Sequence, residues 1–219
     1  MEEGLRSVHA HMRELGLAAL AHANWHAHCV SPDNDYWAEL SVIQAAHATE
    51  ILIKARIAQE HPLLIFETLP KPATQSAMPL SVADLIENGR TFQYADLPHR
   101  LWATTGVELA DVDRYRAFGR LRNAIQHFTA PPRDVTQETL EFIFEVVDPF
   151  INQCWGLFAI DHNEDYEPYS VFVPALVRRG IRFLVSPEML DHLEYAELDW
   201  PQDGAYRSEM EKRFAVAPK

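Results

Sequence analysis

The sequence predicts an all-α protein, and three observations support this fold class. Only 8 of the 219 residues are glycine, and 47% of the residues are hydrophobic. That composition favours helices over a turn-rich β architecture and supplies enough apolar surface for a core. Apolar residues recur at helical spacing, and proline or glycine separates one periodic segment from the next. We therefore expect a helical bundle.

The first half of the chain contains four predicted helices. A turn signal over residues 31–34 ends the first helix, and Pro62 ends the second because proline disfavours helix in the residue before it. Ser81 is the expected N-cap of the third helix, and Gly106 is the expected end of the fourth. The proline-rich segment 69–79 is predicted to be a surface connection. The four helices are expected over residues 5–29, 35–60, 81–87 and 96–105.

The second half opens with the helix that carries the candidate site. Asp111 or Asp113 is its expected N-cap, and the prolines at 131 and 132 prevent it from continuing far beyond residue 128. Four apolar residues at spacings of three and four predict the side of this helix that faces the core. They are Phe118, Leu121, Ile125 and Phe128.

Three further segments are predicted from periodicity and breakers. A long helix is expected over residues 136–160, and Pro149 should kink or split it because proline removes a backbone donor. Another helix is expected over 168–179. The apolar run 181–185 predicts either a strand or more helix. The residues after it resemble an appendage packed on the bundle.

Signals for export or for a membrane are weak in this sequence. Cys29 and Cys154 are the only cysteines, which is too few for a disulfide framework. The N-terminal residues 1–13 include charged side chains and no apolar core of a signal peptide. The apolar run 171–177 is much shorter than the roughly 20 residues that cross a bilayer. We therefore expect a soluble, cytoplasmic protein with no membrane partner.

The charges are unevenly distributed along the chain. The formal net charge is −13, which argues against general coating of nucleic acid. Residues 114–133 nevertheless carry five arginines and no acidic residue, whereas residues 134–167 carry nine acidic residues and no Lys or Arg. The planar guanidinium group suits bidentate recognition of phosphate. The alternative is that these arginines pair with the acidic helix that follows.

The basic segment contains Arg122 and Asn123, with His127 four residues after the asparagine. This pattern resembles the Arg-x(4–6)-His motif of the ribonuclease members of the HEPN families. Residues 47–57 of the predicted second helix, with one acidic and one basic inner residue, are similar to the corresponding HEPN helix. The likeness covers roughly residues 5–160. We therefore predict a HEPN-like antiparallel helical bundle over residues 1–160 and a C-terminal extension packed on it over 161–219.

The residue types suit RNA cleavage without a metal or another cofactor. Histidine exchanges protons near neutral pH and serves as general acid or base, here at His127. Arg122 supplies a fixed cation against the charge that develops on the phosphoryl oxygens. Asn123 lies four residues before His127 and is expected to orient the imidazole. Arg116 and Arg120 fall on the same helical face as Asn123 and His127 and are predicted to hold flanking phosphates of the substrate.

The resemblance implies more than the residues alone predict. On an ideal helix Arg122 lies about 140° around the axis from His127, so a single helix does not bring the two together simply. HEPN ribonucleases complete their site at a two-fold interface between protomers, which implies a homodimer here. The resemblance further implies selective RNA cleavage in a toxin-antitoxin or antiphage setting, with an antitoxin or regulatory protein as partner. The alternative is a non-catalytic HEPN-like module that binds a nucleotide, RNA or a protein.

Two other groups of residues suggest competing sites. His22 and His26 are four residues apart and suggest a transition-metal site that Cys29 or His28 completes; packing or surface roles are the alternative. Glu50 and Lys54 form an i, i+4 pair that predicts a helix-stabilising contact, with a supporting role beside the Arg122 site as the alternative.

Overall fold

The fold is described by a computed structural model, which covers residues 3–29, 31–71, 80–164, 168–193 and 198–217. These residues are mostly α-helical, which confirms the predicted all-α fold class. The helices are α1 (Glu3–His28), α2 (Trp37–Glu60), α3 (Val82–Asn88), α4 (Leu97–Thr105), α5 (Val112–His127), α6 (Val135–Phe142), α7 (Asp148–Trp155), α8 (Pro168–Arg178), α9 (Pro187–His192) and α10 (Gly204–Val216).

Two short strands lie between α2 and α4, where the sequence predicted none. They are β1 (Phe66–Thr68) and β2 (Arg90–Thr91), and they pair antiparallel with Phe66 opposite Thr91. Strands of three and two residues are too short to show the alternation that predicts a strand. Of the connection predicted over 69–79, residues 72–79 lie outside the described residues.

The predicted helix ends are confirmed where a capping residue specifies them. Ser81 caps α3: its hydroxyl accepts the Asp84 amide at 3.1 Å, and the Asp84 carboxylate accepts the Ser81 amide at 3.0 Å. Gly106 ends α4 with φ +72°, a left-handed conformation that glycine adopts without strain. Asp111 rather than Asp113 caps α5.

The helix predicted over 136–160 is interrupted and ends early. Residues Ile143–Val147 form a π-helical turn between α6 and α7, in which the Asp148 amide donates to the Ile143 carbonyl. The turn lies directly before Pro149, whose missing amide breaks the regular pattern, so the expected break is confirmed. The end at Ile160 was wrong because Gly156 takes a left-handed conformation at φ +69° and ends α7 at Trp155.

The run 181–185 forms neither a strand nor a helix, so both expectations for it were wrong. Side chains, instead of a neighbouring strand, bind its backbone. Tyr206 donates to the Ile181 carbonyl at 2.9 Å, and Arg213 donates to the Phe183 carbonyl at 2.9 Å. Non-local contacts of this kind leave no periodic signal in the sequence.

The chain divides into two compact units. Residues Met1–Leu17 and Thr49–Glu108 form the first unit, and residues Ala18–Ala48 and Leu109–Lys219 form the second. The predicted extension over 161–219 falls within the second unit. The division at residue 160 stays a prediction.

The core of the first unit is formed by aliphatic side chains of α2 and α4. Leu52, Ile53 and Ile57 are fully buried, as are Leu97 and Leu101. This part of α2 is buried on most of its sides, which explains why its apolar residues show little helical stripe.

Aromatic side chains dominate the core of the second unit. The largest fully buried ones are Tyr115, Phe142, Phe144, Phe150, Phe172 and Phe183. Leu140, Ile143, Phe144, Val147 and Ile151 follow one another at helical spacing along α6, the π-helical turn and α7, and all five are buried. This core fixes the position of α5, as described below.

Candidate functional site on helix α5

Helix α5 is fixed at its start by a cap and along one face by aromatic packing. The Asp111 carboxylate accepts the Arg114 amide at 2.8 Å. Phe118 stacks on Phe142 of α6, with ring centroids 3.8 Å apart and planes 7° apart. Leu121 is also buried. A helix held in this way presents its opposite face to solvent at a defined rotation.

The opposite face of α5 carries four of the predicted site residues. Arg116, Arg120, Asn123 and His127 are all exposed, at successive spacings of four, three and four residues. We call these four residues the exposed face of α5. Their common exposure agrees with the helical face that the sequence predicts for them.

Arg122 lies beside this face and is held by its neighbour. The Asn123 side-chain oxygen accepts from both Nε and Nη2 of Arg122, at 3.1 Å and 2.9 Å. Two bonds to one oxygen fix the plane of the guanidinium group. Asn123 therefore orients the arginine, whereas the sequence suggested that it would orient His127.

The end of α5 exposes an aromatic ring that was expected in the core. His127 is the last residue of α5, and Phe128 directly after it is 90% exposed. The prediction for Phe128 was wrong because this residue leaves the helical path, with φ −146° and ψ −79°. The buried stripe therefore stops at Ile125, which is half-buried.

Ion pairs divide four of the five arginines of the basic segment into two kinds, Arg122 being the one described above. Arg114 contacts Glu141 at 3.1 Å and Glu145 at 3.0 Å, and Arg133 contacts Glu138 at 2.6 Å. For these two arginines, pairing with the acidic helix that follows is confirmed.

The exposed arginines of α5 make fewer and longer contacts with acidic side chains than Arg114 and Arg133 do. Arg116 reaches Asp113 only at 3.6 Å, and both side chains are largely in solvent. Within the part of the chain that the structure describes, the Arg120 side chain has neither a hydrogen bond nor an ion pair. Arg116 and Arg120 thus place two cations in solvent on the exposed face of α5.

A buried carboxylate that the sequence analysis did not single out holds two loops of the second unit. Asp148 is fully buried, and its two oxygens accept the amides of Ala159 at 2.7 Å and Leu184 at 2.9 Å. Burial raises the pKa of this carboxyl to about 7, against the opposing effect of the two amide hydrogen bonds. Asp148 therefore connects two loops through its hydrogen bonds, and its pKa is raised.

The Glu50–Lys54 pair belongs to the first unit, whereas α5 belongs to the second. Lys54 Nζ contacts the Glu50 carboxylate at 2.6 Å and the Thr91 hydroxyl at 3.0 Å, and Lys54 is only 8% exposed. The expected contact within α2 is confirmed, and it also ties α2 to β2.

Three histidines in the second half of α1 contact protein groups. His22 Nδ1 lies 2.7 Å from the Glu164 carboxylate, and His26 Nδ1 lies 2.7 Å from the Gln44 side-chain oxygen. His28 donates from Nδ1 to the Asn24 carbonyl, and burial lowers its pKa to about 4. Among the described residues, no three His, Cys, Asp or Glu side chains are grouped as metal ligands. The arrangement thus gives the metal alternative at His22, His26 and Cys29 no support.

Comparison with known proteins adds no assignment to this geometry. No family model, curated protein or solved structure matches the chain. None of the described helices combines the length and the apolar character needed to cross a membrane.

Proposed function

We propose that this chain is a metal-independent endoribonuclease of HEPN type that cleaves RNA by attack of a 2′-hydroxyl group. The observation that carries the proposal is the position of the Arg122 guanidinium group, which the Asn123 side chain holds. His127, five residues after Arg122, is exposed. A fixed cation and a solvent-accessible imidazole are the two groups that this reaction needs. Arg116 and Arg120 support it by adding positive charge on the same helix.

The proposed reaction forms one bond and breaks another at the same phosphorus atom. The 2′-oxygen attacks the adjacent phosphate, and the 5′-oxygen of the next nucleotide leaves. His127 removes the 2′-hydroxyl proton or protonates the leaving oxygen, and the products are a 2′,3′-cyclic phosphate and a 5′-hydroxyl group. Arg122 stabilises the negative charge that builds on the non-bridging oxygens. Arg116 and Arg120 bind neighbouring phosphates of the same strand.

We further propose that the active form is a homodimer with both copies of α5 at its two-fold axis. About 140° of helix rotation separates Arg122 from His127 in one chain, and a second copy brings the missing group from across the axis. Light scattering should then give twice the 25.1 kDa of one chain. A toxin-antitoxin or antiphage role, with an antitoxin or regulatory protein as partner, rests on the HEPN resemblance alone. Growth arrest on expression of the parent protein, and its absence with His127→Ala, would test that role.

The test of the catalytic proposal is RNA cleavage by single variants in the presence of EDTA. The parent protein should cleave at least one member of a broad panel of cellular RNAs with EDTA present. Arg122→Ala and His127→Ala should each lower the rate by about 100-fold or more, since each removes a group that acts in the transition state. Unfolding temperatures should stay near that of the parent, because His127 is exposed and Arg122 is only half-buried.

Matched controls separate this effect from a general loss of charge. His11→Ala on α1 and Arg178→Ala on α8 remove an exposed histidine and an exposed arginine outside α5. Both controls should cleave RNA at the parent rate. If Arg122→Ala and His127→Ala also cleave at the parent rate, the catalytic assignment is wrong. If the parent leaves the whole panel intact, the chain is better described as a binding module.

A further inference from the structure

An exposed aromatic ring directly follows the proposed catalytic histidine. Phe128 is 90% exposed, although burial of a phenylalanine side chain is worth roughly 1.5–3 kcal/mol. Its backbone is not loose: the amides of Phe128 and Thr129 both donate to the Ala124 carbonyl at 2.9 Å. The helix end therefore holds the ring out in solvent.

The nearest sequence neighbours of Phe128 are polar. Gln126, His127 and Thr129 are exposed, and so is Asn123 one turn earlier. Protein–protein interfaces are marked by contiguous apolar patches. A single ring among hydrogen-bonding side chains fits a partner that is itself flat, aromatic and surrounded by polar groups.

The charges beside Phe128 indicate what that partner is. Arg120 and Arg116 continue the exposed face of α5 away from the ring; among the described residues the Arg120 side chain has no ion pair, and Arg116 reaches Asp113 only at 3.6 Å. An aromatic ring at the end of a cationic strip is the arrangement with which proteins bind single-stranded nucleic acid. The strip binds phosphates, and the ring stacks on a base.

We propose that Phe128 is the stacking platform for an unpaired base beside the phosphate on which His127 acts. This inference rests on the proposed function, because it places RNA on the exposed face of α5. The bases of an RNA duplex are stacked inside the helix and do not offer a free face to a side chain. Phe128 therefore makes the site selective for RNA that is single-stranded at the cleaved position.

Binding of RNA that cannot be cleaved tests the inference separately from catalysis. The probe is a fluorescent single-stranded 2′-O-methyl oligonucleotide, which lacks the attacking hydroxyl, measured by anisotropy at low salt beside its duplex. Phe128→Ala and Phe128→Leu should each weaken single-strand binding by about 5- to 100-fold, which corresponds to loss of one stacked base. Phe128→Trp should restore it, because tryptophan provides another flat π-face. Duplex binding should be weak for the parent and should not change in the variants.

Tyr36→Ala is the matched control, since Tyr36 is an aromatic residue of the second unit that is 68% exposed outside α5. This control should bind the oligonucleotide as the parent does. Light scattering of Phe128→Ala at the assay concentration should give the same mass as the parent.

Four results would overturn the inference. They are no binding of the single strand by the parent, equal binding by Phe128→Ala, full binding by Phe128→Leu, and a Phe128→Ala mass that falls as its binding falls. The last result would place the ring at an interface between two copies of the chain. If Phe128→Ala weakens binding while the parent does not cleave RNA, the stacking role of Phe128 stands and the proposed catalytic function fails. If His127→Ala abolishes cleavage while Phe128→Ala binds normally, the proposed catalytic function stands and the stacking role of Phe128 fails.

Discussion

Asn123 and Arg122 show how two adjacent residues build part of a site. Side chains at consecutive helix positions diverge, so the pair is not expected to meet. The long arginine side chain nevertheless folds back, and its Nε and Nη2 reach the Asn123 oxygen at 3.1 Å and 2.9 Å. The group that holds the guanidinium is a neutral amide rather than a carboxylate. That distinction matters because the proposed role of Arg122 is electrostatic.

Asn123→Asp tests whether cleavage depends on the positive charge of Arg122 or only on the position of its guanidinium group. An aspartate accepts the same two hydrogen bonds but forms an ion pair with Arg122, which neutralises the cation. We expect the rate of RNA cleavage to fall by about 10- to 100-fold, with the unfolding temperature unchanged because Asn123 is exposed. Single-turnover cleavage and thermal unfolding measure the two quantities. Cleavage at the parent rate would show that the charge of Arg122 is not used.

Asp148 predicts an unusual pH dependence of stability. Burial raises its pKa from the ordinary 3.8 to about 7, so across that pH range the folded state keeps a proton that the unfolded state releases. The stabilising contribution of Asp148 therefore falls as pH rises through this range, by about 1.4 kcal/mol per pH unit.

Urea unfolding of the parent and of Asp148→Asn measures this effect. The free energy of unfolding of the parent, minus that of the variant, should be about 2–3 kcal/mol smaller near pH 7 than near pH 5. A difference that is constant or larger near pH 7 would contradict the raised pKa. The backbone hydrogen bonds to Ala159 and Leu184 make the variant less stable than the parent at the lower pH.

Among the helices, α1 and α2 approach each other closely in the first unit, and the contact at Gly16 leaves no room for a larger residue. A Cβ atom on Gly16 would lie 2.7 Å from Cγ of Leu52, and Leu52 is fully buried. Gly4 lies on the same helix, but a Cβ atom there would meet Val82 at an ordinary 3.5 Å. The two glycines therefore differ in packing while sharing a helical backbone.

Gly16→Ala should lower the free energy of unfolding by about 1–3 kcal/mol, because the added methyl group overpacks the contact with Leu52. Gly4→Ala should leave stability unchanged or raise it by up to about 1 kcal/mol, since alanine favours helix. Chemical unfolding of both variants makes the comparison. Equal effects at the two positions would show that α1 and α2 do not approach as described.

The sequence predicts elements with clear ends and fails where distant contacts decide. Asp111 and the prolines after Phe128 specify α5 to within a residue, and helical spacing places Arg116, Arg120, Asn123 and His127 on one exposed face. The exposure of Phe128 depends on the backbone at the helix end, which apolar spacing does not report. Asp148 meets amides 11 and 36 residues away, and no local pattern indicates that pairing.

For the whole molecule, the net charge of −13 does not show that the arginines of the basic segment differ in their ion pairing and exposure. Arg114 and Arg133 bind glutamates of the acidic segment, while Arg116 and Arg120 stay in solvent. An acidic surface repels bulk RNA and leaves a small cationic strip as the place where phosphates are attracted. We therefore predict selective RNA binding that weakens steeply with salt.

The chemical ends of the cleaved RNA test the central claim most directly. The parent protein is incubated with a responsive RNA and EDTA, and the product termini are identified by mass spectrometry. We predict 2′,3′-cyclic phosphate and 5′-hydroxyl ends, both absent when His127→Ala replaces the parent. Products that carry a 5′-phosphate, or the same cyclic ends formed at the same rate by His127→Ala, would contradict it.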